Sequence, residues 1–168
     1  MRRVLFLLLF VPLCANAFDF KGVVIGAPAT PELINEKLGV SCGVGFEGIQ
    51  VCNGTVTIAR ESARMNLVIS STGVVRRINL TLSPAVFDVI APLLVEKFGP
   101  PEKIKRGEVQ NRMGAKFDQV EYYWQNSTGH QVIYEKYAGS LDSTTLNFST
   151  REDREKLQVP KASRKNDL

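Results

Sequence analysis

Two stretches sixty residues apart close on nearly the same four letters: Glu36-Lys37-Leu38-Gly39 and Glu96-Lys97-Phe98-Gly99. Each ends a segment that opens like a helix. Residues 30–39 (TPELINEKLG) place Thr30 as N-cap, Pro31 at the first helical position and Gly39 as the stop. Residues 83–99 (SPAVFDVIAPLLVEKFG) put Ser83, Pro84 and Gly99 in the same three roles. Pro92 removes a donor inside that second stretch, so a kink or a break into two short helices is expected there.

Strand-like runs follow each helix. After the first come GTVTIAR (54–60), RMNLVIS (64–70), a Ser71-Thr72-Gly73 turn and VVRRINLTL (74–82). After the second come FDQVEYYWQ (117–125), a Ser127-Thr128-Gly129 turn, HQVIYEKY (130–137) and STTLNFS (143–149). Apolar residues alternate at Met65/Leu67/Ile69, Ile78/Leu80/Leu82 and Val120/Tyr122/Trp124, which is the period of a strand buried on one face. The expectation is an α+β fold. Two helix-plus-antiparallel-meander repeats, about 22–82 and 83–149, pack as one domain over 18–150 with a continuous sheet.

The ends of the chain read differently. Arg2 and Arg3 precede an unbroken apolar run at 4–13, and Ala15-Asn16-Ala17 gives an A-x-A cleavage signal. Ten apolar residues are too few for a bilayer core that needs about 20 in a helix. Residues 1–17 are therefore expected to be a signal peptide, leaving a periplasmic or secreted chain from Phe18 with no stable membrane insertion. The alternative, lipoprotein processing at Cys14, wants a small residue just before the cysteine, where Leu13 stands. The tail 151–168 (REDREKLQVPKASRKNDL) is expected to be a short helix followed by a charged, flexible end.

Charge excludes one class of partner. Residues 18–150 carry 13 basic and 13 acidic side chains, so the basic balance of the whole chain sits in the leader and the tail. Without a concentrated cationic face, no nucleic-acid partner is expected. Export also interprets the cysteines. Once Cys14 leaves with the leader, Cys42 and Cys52 are an even pair in an oxidising compartment, and a disulfide across the glycine-rich GVGFEGIQV loop is expected.

The helix ending followed by a three-stranded meander resembles small bacterial envelope domains of the SmpA/OmlA type. The tandem arrangement resembles the β-lactamase-inhibitor-protein architecture, in which two helix-plus-sheet repeats form one concave sheet. The resemblance spans about 22–149, and the first unit departs from it by holding a disulfide hairpin between helix and sheet. What it implies is binding of another envelope or secreted protein, not catalysis.

The residues offer little chemistry. His130 is the single histidine, placed after the second Ser-Thr-Gly turn, where solvation is the expected role. One histidine and a bonded cysteine pair assemble no His/Cys metal cluster, and no cofactor is expected. Gly43-x-Gly45-x-x-Gly48 matches a dinucleotide fingerprint in letters only, since it lies between the cysteines and leads into no helix. A converging pair of carboxylates, as in glycoside hydrolases, is left open by the sequence.

A binding face is better marked. Tyr122 and Trp124 align with Val120 and should bury against the helices, which turns Tyr123 outward with Glu121 and Gln125. Asn66, Arg77, Asn79 and Thr81 are the outward residues of the first unit. Asn53, Asn79, Asn126 and Asn147 each begin an N-x-S/T triplet. With a bacterial-type leader these are expected to be incidental rather than glycan acceptors. The expected function is a non-catalytic binding module, with an inhibitor of an envelope or secreted enzyme as the sharper form. An accessory subunit of an outer-membrane assembly or secretion machine, and a small envelope hydrolase, are the alternatives.

Overall fold

Thr30 and Gly39 bracket the first helix, one through its hydroxyl and the other through its lack of a Cβ. In the computed structural model, which describes residues 17–158, α1 spans Pro31–Leu38. Thr30 Oγ1 accepts from the Leu33 N–H at 3.3 Å. Gly39 takes the left-handed φ of 67° and donates its N–H to Asn35 O at 2.8 Å. Ser83 caps a short 3₁₀ turn at Pro84–Val86, and α2 follows as Phe87–Phe98. Of the kink or break expected at Pro92, the break does not occur, because α2 runs through it. The ring sits on the exposed side, and the buried stripe Phe87, Ile90, Ala91 and Leu94 holds both ends of the helix.

Ten strands form. β1 (Asp19–Phe20) and β2 (Val23–Val24) make a small hairpin. The others are β3 (Ser41–Val44), β4 (Gln50–Ile58), β5 (Glu61–Ile69), β6 (Val75–Leu82), β7 (Lys103–Gln110), β8 (Lys116–Gln125), β9 (Gln131–Glu135) and β10 (Thr144–Ser149). Eight of them form one antiparallel sheet in the order β3-β4-β5-β6-β10-β9-β8-β7. The α+β class and the continuous sheet are thus as expected. Each half has four strands after its helix rather than three, and the halves meet where β6 pairs with β10.

The two added strands, β3 and β7, are the sheet's edges. An edge strand has one neighbour, and β7 (KIKRGEVQ) is exposed along almost its whole length, so no buried alternation marks it. Its lysines and arginine also keep a second chain from adding to the edge. Cys42 and Cys52 stand directly opposite in β3 and β4, and the expected disulfide is formed.

One face of the sheet carries the core. Met65 and Leu67 of β5, Ile78 and Leu80 of β6, Leu146 and Phe148 of β10, and Val132 and Tyr134 of β9 all point to it. Phe18, Phe20, Val23 and Ile25, at and just before the start of the first unit, add a layer that the repeat pattern does not announce. Phe98 gathers these parts. Its ring lies 5.3 Å from Phe18, 6.1 Å from Trp124 and 6.0 Å from Phe148. Phe87 stacks on Tyr134 at 4.5 Å.

A third helix, α3 (Arg151–Gln158), begins the tail. It is not a free end. Asp153 is 5% exposed and lies between Arg76 at 3.6 Å and Arg77 at 3.5 Å. Arg154 donates to Gly129 O at 2.6 Å. The short helix expected at the start of the tail is therefore present, and it packs on the end of the sheet. Residues 1–16 and 159–168 lie outside the described residues, and with them all but the last residue of the signal peptide expected at 1–17 and the flexible end expected after the short helix.

Candidate binding face

Strand alternation puts every second residue on the face away from α1 and α2, and the register then aligns those residues into rows. One row runs Asn53, Asn66, Asn79, Asn147, Ile133, Tyr123, Lys103 across seven strands. The next runs Thr55, Arg64, Thr81, Thr145, Glu135, Glu121, Lys105. Four asparagines thus stand side by side on β4, β5, β6 and β10, a span of roughly 14 Å at the usual strand spacing. Asn66 donates to Asn53 Oδ1 at 2.8 Å, and Thr81 to Asn79 Oδ1 at 3.4 Å. Arg64, Thr55 and the first three asparagines surround a shallow depression of about 540 Å³.

Tyr123 stands at the other end of the asparagine row. Its neighbours Tyr122 and Trp124 turn inward, Trp124 being 3% exposed and donating Nε1–H to Gly99 O at 2.8 Å. The Tyr123 hydroxyl donates to Glu121 and accepts from Lys105 Nζ at 2.7 Å. Lys105 Nζ also lies 4.5 Å from the ring centroid and 3.8 Å from Glu121. Tyr123 is therefore a half-buried, pre-ordered side chain rather than a loose one. Burial, then its bond to Glu121, raises its pKa, so the phenol stays protonated. The bond to Tyr123 raises the Lys105 pKa. Glu135 is raised by burial and then by the charge of Glu121 beside it.

All six residues read from the sequence, Tyr123, Gln125, Glu121, Arg77, Asn79 and Asn66, stand on this one face. Arg77 differs from the other five in facing α3, whose Asp153 engages its guanidinium at 3.5 Å. Asn53, Asn147, Arg64, Glu135 and Lys105 belong to the same face and were missed. The N-x-S/T triplets were the available signal. In a strand, the first and third residues of such a triplet share a face, so Asn53/Thr55 and Asn79/Thr81 are pairs on the open side, whereas in Asn147/Ser149 the serine is buried.

His130 is half-buried instead of solvated. Its ring packs so closely on Gly26 that a Cβ there would clash with Cε1. Burial, then the charge of Arg154, lowers its pKa. Among the described residues, no three His, Cys, Asp or Glu side chains converge as metal ligands, and no helix is long and apolar enough to cross a membrane. Comparison with protein-family models, with curated proteins and with solved structures finds no match to this chain.

Proposed function

We propose that this chain is an exported, non-catalytic module that docks another envelope or secreted protein on the open sheet face, as an inhibitor of an enzyme would. The observation that carries this reading is the alignment of Asn53, Asn66, Asn79, Asn147 and Tyr123 in one uncovered row. Amides and hydroxyls both donate and accept, so such a row suits the mixed donors and acceptors of a protein surface better than a phosphate backbone. Tyr123 adds an aromatic anchor already held in place, which lowers the entropy lost on docking. Export is supported by the leader pattern and by the Cys42–Cys52 bond. Phe18, the first residue after the A-x-A signal, is 4% exposed, so the core begins where the leader would end.

The test is capture from envelope extract with the mature protein, its Tyr123→Ala form and its Asn79→Lys form as baits. A partner held at 1:1 by the parent and lost by both variants supports the reading. A partner held equally by all three places the interface elsewhere. Mass spectrometry of the exported protein should give Phe18 as the N-terminus.

A further inference from the structure

A second cleft lies off the end of the sheet, away from the asparagine row. It measures about 840 Å³ and is closed by both Ser-Thr-Gly turns, 71–73 and 127–129, and by α3. Ser71, Thr72, Thr128 and Thr150 bring hydroxyls to its walls, beside His130 and Arg76. The turns were conspicuous in the sequence, and the open sheet face does not use them.

Arg76 has more charge than its surroundings answer. The residue is 9% exposed, and its only ion pair among the described residues is with Asp153 at 3.6 Å, a carboxylate that it shares with Arg77. Both distances exceed a good hydrogen bond, and the Nε atoms of both arginines are buried with no hydrogen-bond partner. The buried guanidinium of Arg76 thus shares its one carboxylate with the half-buried Arg77, so Asp153 cannot offset both charges. The remaining charges on the wall do not answer it. Arg151 is held by Glu155 at 2.9 Å, and Glu152 is balanced in number by Lys156.

We propose that this cleft binds a phosphate group, with Arg76 supplying the charge and the hydroxyls of Ser71 and Thr150 further donors. A planar guanidinium pairs with phosphate oxygens more strongly than with neutral acceptors, and serine and threonine hydroxyls rotate to suit. The cleft is larger than one phosphate ion, so it has room for the organic part of a small ester. This site is independent of the protein-docking face.

The test uses the mature protein at constant ionic strength, titrated with inorganic phosphate, with glycerol phosphate and with chloride, and followed by NMR shifts. Saturable shifts at 70–74, 128–130 and 150–152 with phosphate but not chloride are expected. Tighter binding of glycerol phosphate assigns an ester, and tighter binding of inorganic phosphate assigns the free ion. Thr128→Glu puts a carboxylate on the exposed rim and should weaken binding by about tenfold or more, as should Arg76→Gln. If Arg76→Gln does not fold, Thr128→Glu and the shift map still decide. Shifts that match chloride, that map to Lys103 and Lys105, or that survive Thr128→Glu unchanged overturn the proposal.

Discussion

The side-chain amide of Asn66 donates to Oδ1 of Asn53 at 2.8 Å, across backbones that stand directly opposite in β4 and β5. The same row continues through Asn79 and Asn147, which are opposite one another in β6 and β10. An asparagine on a sheet contributes little to stability through packing, since strands disfavour it. A row of four on an uncovered face is therefore not explained by packing, and it is the feature on which the proposed docking rests.

Asn79→Lys places a long cation in the middle of that row. Folding stability should change by less than about 1 kcal/mol, because the position is on the solvent side. Partner affinity should fall by about tenfold or more. Denaturant unfolding and a binding titration separate the two effects.

Tyr123 and Trp124 are adjacent and should behave oppositely. Trp124→Ala removes a side chain packed on Phe98 and Tyr122 and should cost about 3–5 kcal/mol of folding stability. Tyr123→Ala should cost about 1–4 kcal/mol of binding and far less of folding. A large loss of melting temperature for Tyr123→Ala, with Trp124→Ala silent, contradicts the assigned faces.

Reducing the Cys42–Cys52 bond releases a short loop that the unfolded chain otherwise cannot open. The loss should be about 2–3 kcal/mol, read as a lower urea midpoint in reductant. An unchanged midpoint means that the bond does not constrain the unfolded state.

The turn between β4 and β5 is made by Ala59 and Arg60 with φ of 50° and 69°. Two-residue hairpins of this hand favour asparagine and glycine, and the side chains present are strained there. Ala59→Asn with Arg60→Gly should raise stability by about 0.5–1 kcal/mol in thermal or chemical unfolding.

Folding lowers the His130 pKa from its ordinary 6.5, through burial first and Arg154 second. The folded protein therefore holds the ring neutral, and the unfolded chain takes up the proton first as pH falls. The stability tied to this residue is present above pH 6.5 and is lost as pH falls through the lowered folded value. Glu135, raised by burial, acts in the opposite sense, losing its contribution as pH rises through its own folded value. The difference between parent and His130→Gln in unfolding free energy at pH 7.5 and pH 5 isolates the histidine. A parent no more sensitive than the variant rules it out.

Local signals were legible wherever the residue itself does the work. Thr30, Pro31 and Gly39 bound α1 because a cap, a fixed φ and a left-handed residue act within a few positions. Alternation at 65–69, 78–82 and 120–124 assigned the buried faces because a strand's period is two. The cysteine pair followed from count and compartment. Tertiary structure decided what depends on pairing between distant segments. β3 and β7 exist as strands through hydrogen bonds to one neighbour each, which leave no periodic mark. The asparagine row exists because four strands, drawn from residues 50 to 149, settle into one register. A shift of one residue in any strand would turn its asparagine into the core, so no single stretch of sequence contains the row. Arg77 was read correctly as outward, yet Asp153, 76 residues later, brings α3 over it. Periodicity tells a side chain which way to point, and only the packed chain tells it what waits there.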